Sequence, residues 1–263
     1  MADSQNSVNN GTVNASFVAR RNVDGAGTVC FVGAAHQDTT NPASTGVLIA
    51  QSTAASGADA FMNCTLASTR SWGWGIDASD SAALKETTFP AGSTDPSTGT
   101  LTRKVTVGGV QTMPLQPAFL AYKSAPTANA TGDGTLISPI IYDTELFDVQ
   151  GNYDNATGIF TAPVTGYYSF SASVSLSNLI AAHVDGFFQF VTSAANQTCF
   201  AIIISPGKVF QSSASSTLWS SSNIFRLAAG DTMQVSVQVT GSTKTVTVGG
   251  ASSTVYFRGA LLF

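Results

Sequence analysis

GIFTAPVTGYYSFSASV, residues 158–174, decides the fold. Phe160, Tyr168 and Phe170 alternate with small polar residues, so strands through them set aromatic side chains on one pleated face and Ser and Thr on the other. Gly158 and Gly166 read as turn residues, and Pro163, which lacks an N–H, falls where a strand has already ended. The stretch therefore reads as an aromatic β-hairpin. It contains no acid, base or thiol, so its work is expected to be structural, with its aromatics filling a core.

The rest of the chain agrees with a β fold. Of 263 residues, 10% are charged and 43% hydrophobic, and the polar remainder is Ser, Thr, Asn, Gln and Gly. Glu86 and Glu145 are the only glutamates, while Val, Thr, Phe and Tyr abound, so helix formers are scarce where strand formers are common. The net charge is −4, and Arg20-Arg21 and Arg103-Lys104 are the only adjacent basic pairs. Binding nucleic acid requires a concentrated basic face, which this composition excludes. No apolar run reaches the ~18 residues of a membrane-spanning helix, and no membrane insertion is expected. The first fifteen residues lack a basic-then-apolar leader, so folding in a cytoplasm is expected. Cys30, Cys64 and Cys199 form an odd set without CxxC spacing, each among small or apolar residues. Buried free thiols are expected, with a Cys30–Cys64 bridge as the alternative.

Along the chain, residues 1–14 read as a flexible Asn-rich arm. Short strands separated by turn signals fill 15–107 (ASFVARRNV, TVCFVGAA, VLIAQS, AFMNCTLAS, SWGWGIDAS, LTRKVTVGG), a spacing that predicts a small β-sandwich or barrel. SAALKE, 81–86, is the one short helical candidate. GGVQTMPLQP, 108–117, with two glycines and two prolines, reads as a linker to a second domain at 118–263.

That second domain carries a pattern across its length. Phe147, Asn152, Gly158, Phe160, Pro163, Gly166, Tyr168 and Phe170 are followed by NIFRLAAGDTMQVSV at 223–237 and by VYFRGALLF, with Phe257, at 255–263. Residues 119–263 thereby resemble the C1q-type globular head, a relative of the tumour necrosis factor jelly roll. The resemblance implies a ten-stranded jelly-roll sandwich, all-β, assembled as a homotrimer, with the domain's ends close together. Phe147, Phe160, Tyr168, Phe170 and Phe257 are then the structural core and trimerisation residues. The residues themselves agree: in TMQVSVQV, Met233, Val235, Val237 and Val239 share a face opposite Gln234, Ser236 and Gln238.

Residues suited to chemistry are few. His36 and His183 each have an Asp two residues on, Asp38 and Asp185, a spacing that on a strand lets base and orienter share a face. Polar loop residues are the plainer reading. Neither a G-x-S-x-G turn nor a His/Cys cluster at zinc spacing occurs. Asp133, Asp143, Asp148 and Asp154 offer oxygens for Ca2+, as in some members of the resembled family, although turn-forming carboxylates explain them as well. No catalytic residue and no required cofactor is assigned. Trp72 and Trp74 in SWGWGID project from one strand face; core packing is the commoner fate of such a pair, and a partner-binding platform is the alternative.

These observations favour a non-enzymatic trimeric virion protein of a bacterial virus. It would be a capsid decoration protein or short head or tail fibre, displayed on the virion and bound to the major capsid protein or other virion proteins through 15–107. The alternative is a receptor- or carbohydrate-binding head, on a tail fibre or a bacterial surface, facing a host glycan or protein. A hydrolase ranks last, since it needs paired carboxylates across a cleft.

Overall fold

The computed structural model describes residues 59–66, 70–90, 99–194, 199–204, 215–250 and 254–263, and the chain divides into two units between Pro114 and Leu115. The arm at 1–14, the strand candidates before residue 59, Cys30, and His36 with Asp38 lie outside the described residues.

In the first unit, β1 (Ala60–Leu66), β2 (Arg70–Asp77), β3 (Ala83–Pro90), β4 (Thr100–Val105) and β5 (Gln111–Thr112) form an antiparallel meander in chain order. The described residues of this unit form this one five-stranded sheet. The two-residue period of β2 is visible in its burial: Ser71 and Gly73 are covered, Trp72, Trp74 and Ile76 exposed. SAALKE is not helical. Six residues are too few to offset helix nucleation, and the Asp77 carboxylate organises a turn instead. It accepts from Asp80 N at 3.1 Å and Ser79 Oγ at 2.6 Å, capping a single 3-10 turn at Ala78–Asp80. Ser81 and Ala82, at φ 54 and 56, reverse the chain, and Ala83 and Leu84 pair with Asp77 and Ile76. Within the 108–117 interval, Gly109 turns the chain at φ +81 and β5 pairs back on β4, whereas Gln116 Nε2 donates to Leu261 O at 2.6 Å in the second unit.

The second unit is a two-sheet jelly roll. Its strands are β6 (Ala118–Tyr122), β7 (Thr127–Thr131), β8 (Leu136–Ile137), β9 (Thr144–Asp148), β10 (Tyr153–Asp154), β11 (Ile159–Thr161), β12 (Gly166–Leu179), β13 (Asp185–Thr192), β14 (Cys199–Ile204), β15 (Ser215–Leu227), β16 (Thr232–Thr240), β17 (Val246–Val248) and β18 (Tyr256–Leu261). Thirteen described strands stand where the resemblance implies ten, because β8, β10, β11 and β17 are pieces of two or three residues. One sheet runs β10-β11-β16-β13-β14 with β8 on β16; the other runs β7-β17-β12-β18-β6-β9 with β15 on β12. First strand β6 and last strand β18 pair antiparallel, Ala118 opposite Ala260, so the ends of the unit adjoin.

The stretch at 158–174 is not a hairpin. Gly158, at φ +75, closes the turn into β11, which pairs with β10 and β16 in one sheet, whereas β12 lies in the other. Gly166 already belongs to β12. With no N–H at Pro163, pairing ends, and the chain crosses the sandwich instead of folding back. Phe160 and Phe170 consequently meet from opposite sheets, ring centroids 5.4 Å apart and edge to face. Around them pack Phe119, Tyr153, Tyr168, Phe188, Phe190, Phe225 and Phe257, with Met233, Val235, Val237 and Val239 from β16. The buried phenols keep their hydrogen bonds: Tyr142 OH donates to Ser173 O (3.0 Å), Tyr153 OH to Tyr142 O (3.0 Å) and Tyr168 OH to Val164 O (2.7 Å).

Candidate assembly face

Four of the five aromatic residues singled out by sequence share one core: Phe160, Tyr168, Phe170 and Phe257 are all buried. Phe147 does not join them. It is 50% exposed, because a register shift between Leu120 and Ala121 sets it opposite Leu120, on the outward row of edge strand β9.

That outward row borders a hollow in the unit's surface. Leu120 and Tyr122 of β6, Leu146 of β9, and Tyr256 and Arg258 of β18 surround a hollow of about 210 Å³. The register explains the grouping: Tyr122 lies opposite Tyr256, and Leu120 lies between Phe147 and Arg258. The guanidinium of Arg258 sits 5.2 Å from the centroid of the Tyr256 ring, and Tyr256 OH is 3.3 Å from Ser171 Oγ on β12. Serines 169, 171 and 175 continue the outward face of β12, half-buried, toward exposed Ile224 and Leu218 on β15. No acidic side chain lines the hollow, whereas the first unit carries the ion pairs of Lys85, Arg103 and Lys104 with Asp77, Asp80 and Glu86. An apolar, aromatic and serine-rich sheet face of this kind is suited to burial against another protein surface.

Leu120, Tyr122, Leu146, Tyr256 and Arg258 were not singled out from sequence. The signal was nevertheless present in AFLAY, 118–122, where Phe119 and Ala121 face the core and the intervening Leu120 and Tyr122 are apolar too. A strand apolar at both parities is one that needs cover on both faces.

The remaining candidates do not converge. His183 is buried, with Nδ1 accepting the N–H of Ile180 at 3.0 Å, and an Asp185 carboxylate oxygen accepts from Gly186 N at 2.8 Å, so each residue serves its own turn and they form no dyad. Asp133 accepts from Thr135 N, Asp154 from Ala156 N, Asp148 from Tyr153 N, and Asp143 from both Ser124 N and its hydroxyl. Burial opposes ionisation of Asp143, yet the two Ser124 bonds hold its carboxyl below the usual range. No group of three metal-ligating side chains occurs among the described residues. Cys64 is a free and exposed thiol, contrary to the expected burial, because it lies on the open face of β1 opposite Trp72. Trp72 and Trp74 are 44% and 40% exposed; neither is a core residue.

A family model described as C1q domain matches residues 118–262. Among solved structures, the globular domain of the zebrafish complement 1qA protein is 17% identical and covers 56% of this chain and 98% of its own, with a TM-score of 0.39. Murine APRIL is 13% identical and covers 56% of this chain and 99% of its own, with a TM-score of 0.36. No curated protein matches the chain.

Proposed function

The chain belongs to the C1q domain family through residues 118–262, and from that premise we propose that it is a non-enzymatic assembly protein working as a homotrimer. One observation carries this reading: on the outward face of the β9-β6-β18 sheet, exposed Leu146 and half-buried Leu120, Tyr122 and Tyr256 line a hollow with no acidic side chain, and exposed Phe147 stands beside Leu120. Such a face is costly to leave in water, at roughly 25 cal/mol per Å² of apolar surface. Two further copies of the same chain, arranged about a three-fold axis, cover it with its own complement. In sedimentation velocity the parent should run at three times the 27.0 kDa chain mass, and Leu146→Glu, which places a charge in the apolar contact at a side chain 62% exposed in the single chain, should run as a folded monomer. A parent that sediments as a folded single chain would refute the reading.

We further propose that the trimer is a virion component of a bacterial virus, made in the host cytoplasm and displayed on the particle. It would be a capsid decoration protein or short fibre held to the capsid or another virion protein through residues 15–107. What supports this is the pairing of an assembling head with a separate β unit, in a chain with 10% charged residues, and the fit of trimers to three-fold lattice positions. Three linked attachment units raise one another's effective concentration, so individually weak contacts hold together. Gold-labelled antibody against 118–263 should decorate particles purified from the source of this chain. Unlabelled particles would remove the virion assignment.

A further inference from the structure

We propose that the exposed Trp72/Trp74 pair on β2 is a binding site for a neutral carbohydrate. Both indoles stand on the face of the first unit's sheet opposite buried Ser71 and Gly73, and with Cys64, Gly73, Glu86 and Arg103 they line a cavity of about 330 Å³. That volume falls at the lower end of the ~300–1,000 Å³ of small-ligand sites.

The register shows how the site is built. Trp72 lies between Cys64 on β1 and Thr88 on β3, Trp74 between Met62 and Glu86, and Glu86 is opposite Arg103 on β4. The floor thus spans four strands, with two flat apolar rings at its centre and an ion pair along one side. Arg103 Nε donates to Glu86 Oε2 at 3.1 Å. This single contact leaves the two Nη groups and the second carboxylate oxygen without a protein partner among the described residues.

These parts select a ligand chemistry. The C–H face of a pyranose is apolar and stacks on indole, while its hydroxyls both donate and accept, so they need an acceptor and a donor fork at the ring's edge. Glu86 and Arg103 supply one of each. Their charges cancel, so the site gives no advantage to a phosphate, a carboxylate or an amine, and the complement is uncharged. A protein partner would also cover Ile76 and Leu84, which are exposed and cross-strand neighbours further along the same face; a sugar on the indoles has no need of them.

The test uses the full chain on an array of neutral and acidic oligosaccharides, followed by tryptophan-fluorescence titration with the neutral oligosaccharides retained. Trp72→Ala and Trp74→Ala should each weaken binding by about tenfold. Arg103→Met should weaken it as well, and Ile76→Ser with Leu84→Ser should leave it unchanged. Thermal unfolding identical to the parent shows that each variant is folded, as expected for side chains this exposed. Failure to retain any neutral glycan, retention of acidic glycans alone, or equal binding by the double tryptophan variant each overturns the proposal. So does loss of binding in the Ile76/Leu84 variant. Oligomeric state does not enter, so this test and that of the trimer fail independently.

Discussion

The ring of Phe170 lies against the backbone of Gly259: a Cβ at position 259 would stand 2.5 Å from two of its ring carbons and 2.8 Å from one of Phe119. The two residues are cross-strand partners on β12 and β18, so the ring occupies the space a side chain on the partner strand would need. The atoms in the way are aromatic and enclosed by core, and cannot swing aside. Gly259→Ala should therefore destabilise the second unit by about 1–3 kcal/mol through overpacking. Phe170→Leu in the same chain should restore part of the loss, a coupling that urea unfolding of the two single variants and the double variant measures. Additive losses would show that the glycine answers to something other than the ring.

Phe160→Ala and Phe170→Ala each empty a site where rings from both sheets meet, and should cost about 3–5 kcal/mol. Phe147→Ala should cost under about 0.5 kcal/mol in the isolated chain, since Phe147 is 50% exposed. Under the trimer reading it should instead weaken association, which sedimentation at falling concentration detects. Equal melting temperatures for the Phe160 variant and the parent would contradict the placement of β11 against the core.

How far the sequence was legible differs between these residues for physical reasons. Alternation of large apolar and small polar side chains is local information, and it located Phe160, Tyr168 and Phe170 and the inward face of β16. Partnership between strands is not local. The same alternation suits a hairpin and a crossover, and only the sandwich decides that β11 and β12 part at Pro163. Phe147 shows a second limit: its facing is set by its pairing with Leu120 across a bulge that leaves Leu146 unpaired in the ladder, and a run of apolar residues such as Leu146-Phe147 does not say which of them the partner strand will skip. For Trp72 and Trp74, alternation gave their shared face but not which face is covered.

Asp77 and Lys85 give the first unit an acid limit. The Asp77 carboxylate accepts from Lys85 Nζ at 2.6 Å, from Ser79 and from Asp80 N, and these bonds hold its pKa at about 2, against an ordinary 3.8. Asp80, bonded to Lys104 and Lys85, is lowered as well. A carboxylate lowered on folding contributes stability that is present above its unfolded pKa and lost as pH falls through the folded one. The unit should thus lose stability between about pH 4 and about pH 2. Lys85→Met should cost about 1–3 kcal/mol at neutral pH by leaving Asp77 without its main donor, and should flatten the acid slope. Tryptophan fluorescence in a Trp219→Phe background reads this unit. An acid slope unchanged by the substitution would assign the limit to other carboxylates.

Tyr142 sets the opposite limit on the second unit. Full burial pushes its phenol well above the ordinary 10.0, with a smaller contribution from neighbouring Tyr153 and Tyr256, and Tyr153 is raised too, chiefly by burial. Folding here favours the protonated form, so the stability is present below the unfolded pKa. It falls as pH rises past about 10, where the unfolded chain gains by ionising and the folded chain does not. Urea unfolding from about pH 8 to about pH 11 should show a plateau followed by a decline. Tyr142→Phe removes the bond to Ser173 O and should cost about 1 kcal/mol on the plateau, yet its decline should be shallower because one ionising group is gone. A decline as steep as the parent's would mean that the phenol ionises freely in the folded protein, which the 3.0 Å bond to Ser173 O and the absence of solvent around it oppose.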